Sequence, residues 1–391
     1  MKKFVLLFLS FIFFTVVHAQ QTAKYVDTDA RMMQIPKSLT QRVEDIAAYI
    51  KTNFSNDNDK VRAVFYWISQ NITYDVPAMN DINFYENEQQ IIDEVMQSRK
   101  GVCMHFAILF DKICNSAGIK AYWIGGYTRQ NGKVDQVPHA WNAVYIYGKW
   151  QIIDPTWGTG HLANGKFIRK LDNSFFDTKP EELIKTHCPF DPMWQLLTYP
   201  VENSNFIKGN TLSDNKQTAW NFNDSIAVYE QQDTLAREIT TLRRLKKSGL
   251  ENALLSTQAR ELQLNIETTK QNKSVSDFNE AVNRLNEGVN RLNEFISYRN
   301  NQFIPKKEDD EIQQMLTNAT NSISESKQLI AGIQYKNTSL TNSIKQLEKM
   351  ISDTENTLSE QNTFLEKYFS TPKLMRKSLF YKFTLMGVPL N

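Results

Sequence analysis

Cysteine is scarce in these 391 residues: there are three, Cys103, Cys114 and Cys188. That excludes a disulfide-built scaffold and leaves at least one thiol unpaired in a monomer. If Cys103 and Cys114 share a helix, the three turns between them hold them about 16 Å apart, far beyond the ~7 Å Cα limit for a disulfide. Cys114 with Cys188 is then the only plausible internal bridge. Histidine is also rare, with five residues. His161 and the pair His187-Cys188 hint at metal ligation, but nothing else stands at ligand spacing, so no metal is expected. An excess of charge of one sign is missing too: 45 Lys and Arg face 43 Asp and Glu, for a net +2. With no long basic run interleaved with aromatics, nucleic-acid binding is not indicated. No stretch beyond the first 20 residues is apolar enough to cross a bilayer.

The N-terminus reads as a signal peptide. Lys2 and Lys3 precede an apolar stretch from Phe4 to Val17, and Val17-His18-Ala19 supplies the cleavage context. The stretch is shorter than the ~20 residues of a spanning helix, and no lipid-anchor Cys follows it. The expectation is cleavage after residue 19, with export to the periplasm or extracellular space. The Lys/Asn/Ile-rich usage reads as bacterial.

Periodicity divides the chain in two. Helical spacing covers 39–53 through Val43, Ile46, Ala47 and Ile50, a second helix starts at Asp59, and a third covers 88–97. A nearly all-apolar helix runs from Val102 to Ala117 and stops at Gly118. The period then changes to two. Strands are expected at 121–128, 139–147 and 150–154, with turns at Asn131-Gly132 and Gly148-Lys149. Helices followed by antiparallel strands make an α+β domain over 20–200, with a connector at 201–222. Residues 223–370 are helical and 371–391 form a tail. One heptad seam runs through Phe278, Val282, Leu285, Val289, Leu292 and Ile296, and a second from Ile312 to Leu365. An antiparallel helical hairpin or bundle follows, with a further helix expected from Thr234 to Ile266 and a second arm reaching roughly 80 Å. Such a coiled coil suits a protein partner or self-association.

Three segments carry chemistry: Gly101-Val102-Cys103, His139-Ala140-Trp141-Asn142 and Asp154-Pro155-Thr156-Trp157. They supply a thiol, an imidazole and a carboxylate, the parts of a cysteine nucleophile, its base and the group that orients the base. Cys103 falls at a helix start, where the helix field favours the thiolate and unpaired amides, including its own backbone N–H, offer donors to an oxyanion. Gly101 would let the backbone approach a substrate. Pairing Tyr145 with Trp150 sets Trp141 opposite Asp154 and makes His139 the diagonal neighbour on the same face, close enough for an Nδ1 to carboxylate hydrogen bond. His105 would point about 200° away from Cys103 on the helix, as core or pocket wall. Trp141 and Trp157 read as supports, and Trp67 as a core residue ahead of an oxyanion role for it or for Tyr74.

These segments, with the lead-in helix Val61-Arg62-Ala63-Val64-Phe65-Tyr66-Trp67-Ile68 and Ile72-Thr73-Tyr74-Asp75, resemble the transglutaminase-like (transglutaminase core) superfamily, in particular its exported bacterial and kyphoscoliosis-peptidase types. The match covers roughly 59–157. The resemblance implies a papain-like α+β core with Cys103 as nucleophile, His139 as base and acid, and Asp154 as orienter, and it leaves the acyl acceptor open. Water gives a peptidase or amidase and a lysine amine gives a crosslinking enzyme. Exported bacterial members resemble hydrolases more often, so hydrolysis of peptide or protein amides is expected. No cofactor is expected, and the lack of an Asp-rich loop argues against calcium. The rival reading is a catalytically silent adaptor that binds a polypeptide and recruits an envelope partner through its helices. Action on peptidoglycan peptides is a third option.

Overall fold

A computed structural model of the chain describes residues 24–80, 87–212 and 218–380, together with the strands Thr384–Leu385 and Val388–Pro389. The expected signal peptide lies outside the described residues. The chain forms two compact units, Met1–Gln263 and Leu264–Asn391.

The first unit opens with α1 (Val26–Met32), α2 (Val43–Asn53) and α3 (Asp57–Asn71). The helix α3 starts where the Asn56 side chain accepts from the Asp59 amide at 2.8 Å, an N-cap. The short strand β1 (Thr73–Tyr74) follows, then α4 (Glu88–Ser98), whose last turn ends at Arg99 with φ 56°. β2 (Lys100–Gly101) pairs in parallel with β1, setting Tyr74 beside Gly101. The apolar helix α5 (Cys103–Ser116) packs into the main core with Phe65, Trp67 and Ile68 of α3 and ends before Gly118, whose φ of +86° favours glycine. Next come β3 (Lys120–Gln130), β4 (Lys133–Ile146) and β5 (Lys149–Ile153). The expected Asn131-Gly132 turn joins the first two strands, and the Tyr145–Trp150 pairing is as the spacing implies.

A one-turn helix α6 (Pro155–Thr159), the hairpin β6 (Gly160–Ala163) and β7 (Lys166–Arg169), the turn α7 (Pro180–Leu183) and the strand β8 (His187–Pro189) occupy the stretch that showed no period. β8 adds to β3, giving an antiparallel sheet in the order β5-β4-β3-β8. This is a transglutaminase-like half-barrel sheet beside helices. After α8 (Asn203–Lys208), the helices α9 (Phe222–Gln231) and α10 (Thr234–Ser248) pack onto the sheet's other side. Ile226 lies in a second core with Ile124, Trp141 and Trp194, and Arg244 clamps Asp191 through bonds of 2.7 and 2.6 Å.

The second unit takes α11 (Ala253–Asn300) from residue 264 onward, α12 (Asp309–Gly332) and α13 (Thr338–Ser370). Both apolar seams are buried or half-buried in a single core. Two expectations are corrected. The helix expected from Thr234 to Ile266 is interrupted at Gly249, whose φ is +100°. The second seam is not one long arm: its helix stops at Gly332 and restarts where Asn337 caps the Leu340 amide. The three helical segments are stitched by Ser326, which donates to the Ala281 carbonyl at 2.7 Å, and by Arg299, which donates to Gln361 at 2.7 Å.

Candidate active site

Cys103 sits in the first turn of α5, where backbone amides have no partner within the helix. The adjoining strand β4 is tied to that helix by Asn142, whose side chain donates to the Ala107 carbonyl at 2.9 Å one turn beyond the thiol. Alternation along β4 turns Asn142 toward α5 and His139 with Trp141 to the opposite face. Asp154 follows the last residue of β5 and caps α6: its Oδ1 accepts from the Thr156 and Trp157 amides at 2.8 and 3.0 Å.

The structure brings the three expected residues together. His139 Nε2 lies 2.8 Å from Asp154 Oδ2. The expected bond was through Nδ1. The strand presents the ring with Nε2 toward Asp154, and Cys103 interacts with the same imidazole, adding to the rise in its pKa. The thiol also reaches the Pro138 carbonyl at 3.9 Å. Burial works against a charged His139, yet the charge and hydrogen bond of Asp154, together with Cys103, raise its pKa to about 10. Burial likewise opposes ionisation of Asp154, and the hydrogen bonds and charge of His139 and His187 outweigh it, holding the carboxyl well below the usual range.

His187 was not foreseen as part of this site. Its Nε2 lies 3.1 Å from the same Asp154 Oδ2, and its Nδ1 is 2.8 Å from the Thr186 hydroxyl. Burial pulls its pKa down despite Asp154. β8 is three residues long and contains a proline, too short for a period of two to register. The other described histidines lie apart from this cluster: His161 is exposed on β6, and His105 accepts from the Val102 amide at 3.3 Å, its side chain lying where a Cβ on Gly101 would be. Gly101 therefore makes room for His105, a role the spacing did not suggest. The atoms of His139, Asp154 and His187 that could hold a metal lie within 4.8 Å of one another, but they already meet in direct hydrogen bonds.

Both tryptophans act as walls. His139 stacks against Trp141 at 6.0 Å and meets Trp157 at 5.6 Å between ring centroids. Trp67 is buried in the core, its ring under Arg99 at 5.2 Å. Tyr74 is held near the site, where burial first, then the charges of Cys103 and Asp154, raise its pKa. A cavity of about 670 Å³ opens on His139, bordered by Tyr74, Asp135, Thr156, Trp157 and Phe175. The three cysteines are buried and free, so the Cys114–Cys188 bridge is not formed: Cys114 lies in the main core, and Cys188 faces Asn203 at 3.5 Å.

Residues 30–155 match the model of the transglutaminase-like superfamily. Kyphoscoliosis peptidase of Mus musculus is 31% identical over 198 residues, 47% of this chain and 29% of that protein. The protein YebA of Bacillus subtilis is 29% identical over 154 residues, 36% of this chain and 20% of its own length. The chain thus spans less than a third of either relative. Among solved structures, one described as a TGase is 25% identical, covering 41% of this chain and 43% of that one, at a TM-score of 0.25. With the half-barrel sheet and the preceding helices in place, residues 30–155 are a domain of the transglutaminase-like superfamily.

Proposed function

We propose that this chain is an exported cysteine enzyme that hydrolyses peptide or protein amides, with Cys103 as nucleophile, His139 as base and acid, and Asp154 as orienter. The observation that carries the reading is the linked set itself: Asp154 meets His139 at 2.8 Å, and Cys103 interacts with the same imidazole. The name of the mouse relative, a peptidase, supports hydrolysis over crosslinking.

The steps follow from the geometry. His139 takes the thiol proton; the sulfur attacks the amide carbonyl, and amides at the start of α5 stabilise the oxyanion. The imidazolium returns its proton to the departing amine as the C–N bond breaks, leaving a thioester. Water, deprotonated by His139, then attacks the thioester, and the thiol leaves with the proton. The test is turnover of a quenched peptide library by the mature protein, with Cys103→Ala as control and a fluorescent primary amine as competing acceptor. Cleavage abolished in Cys103→Ala supports hydrolysis. Amine incorporation without cleavage overturns it in favour of transfer.

A further inference from the structure

We propose that His187 is a positioning residue for the Asp154–His139 pair, acting as a neutral second donor to the same carboxylate oxygen. The inference rests on the triad reading above and extends it. An ionised carboxylate has about four acceptor sites. All four are filled here, two on Oδ1 by the Thr156 and Trp157 amides and two on Oδ2 by His139 and His187. A carboxylate filled in this way cannot turn about its Cβ–Cγ bond without breaking hydrogen bonds in a buried site, so the His139 ring is held in one orientation beside Oδ2.

The tautomer of His187 is fixed by its surroundings. Nε2 faces an anionic oxygen and must carry the proton, so Nδ1 is the acceptor in the neutral ring. The Thr186 hydroxyl supplies the donor at 2.8 Å, a shorter contact than its alternative, the Leu183 carbonyl at 3.2 Å. The ring is also boxed in: Trp157 meets it edge-on at 4.4 Å and Trp141 at 5.2 Å. The sheet register explains the placement. His139 opposes Gly126 and His187 opposes Thr128 on β3, so both histidines project from one face. Gly126 leaves the space between them to the Trp141 ring: a Cβ there would come within 2.4 Å of Trp141 Cη2 and of the Cys188 carbonyl.

The test is the rate of Cys103 alkylation by iodoacetamide across pH 5 to 9, followed by intact mass, in wild type, His187→Leu, His187→Gln, Thr186→Val and His139→Ala. Leucine offers no donor, whereas the glutamine amide can donate to Oδ2. A positioning role predicts a loss of roughly 10-fold or more in His187→Leu, since small misplacements of reacting groups carry such costs. His187→Gln should recover most of that loss, and Thr186→Val, which leaves Nδ1 without its donor, should lose a few-fold with an altered pH profile. Wild-type rates and profiles in His187→Leu, or in Thr186→Val should the leucine variant not fold, overturn the proposal. So does a glutamine variant as slow as the leucine one, which would mark a shape requirement only. If His139→Ala also labels at the wild-type rate, the triad reading itself fails, a result distinct from failure of His187 alone.

Discussion

Arg62 is buried completely on α3 and is the place where charge and stability can be separated most cleanly. Its guanidinium donates to both oxygens of Asp29 at 2.7 and 2.6 Å and to the Asn173 side chain at 2.8 Å. The rings of Tyr25, Phe176 and Phe65 enclose it at 4.5, 5.1 and 5.2 Å. Asp29→Ala removes the counter-charge and leaves a cation buried among rings, which costs about 3–5 kcal/mol when one partner of a buried pair is lost. Asp29 is 16% exposed on its side chain, so water can partly replace it and the lower end, about 3 kcal/mol, applies. Arg62→Met in the same background removes the orphaned charge and fills its volume, and should recover at least about 1 kcal/mol. The assay is urea unfolding of the full chain by tryptophan fluorescence. All seven tryptophans lie between residues 67 and 220, so the signal reports the first unit alone. A loss below about 1 kcal/mol for Asp29→Ala, or a double variant no more stable than that single one, would refute the account of a buried charge held by its partner.

Three further outcomes are expected. His139, raised from 6.5 to about 10, contributes stability that is complete below pH 6.5 and fades as pH climbs toward 10, while Asp154, depressed from 3.8, contributes above that value and loses its part in acid. Urea midpoints of the first unit should therefore fall between pH 6.5 and 10, and His139→Gln should flatten that limb; an unchanged limb counts against the assignment. Gly126→Ala should destabilise the first unit by about 1–3 kcal/mol through the clash with Trp141 and β8, read by fluorescence. Gly288→Val should do the same in the second unit, where a Cβ would lie 2.6 Å from Ile323 Cγ1; it should move the far-UV dichroism transition and leave the fluorescence one in place.

The sequence showed most of what makes the site. A thiol at the start of an apolar helix, and an imidazole and a carboxylate related by a countable strand register, are local signals, and the Tyr145–Trp150 pairing appeared where counting set it. The orientation of the His139 ring did not follow from that count, because register fixes which face a side chain takes and not which ring nitrogen leads. His187 was beyond reach for a different reason: it arrives from a three-residue strand whose partner, β3, lies about 60 residues earlier in the chain, so its place is set by long-range pairing alone. The seams of the second unit were legible from their four-three spacing. Their division into α12 and α13 was decided by Gly332 and the Asn337 cap, single residues that interrupt an apolar period without erasing it.

Asp154 serves two masters, since one of its oxygens meets His139 while the other begins the helix after β5. Selection for folding alone would preserve such a carboxylate after the chemistry had been abandoned. Among kindred sequences its presence is thus a poor sign that a member still works. The thiol of Cys103 caps no helix, so its loss is the mark by which a retired enzyme can be told from a working one.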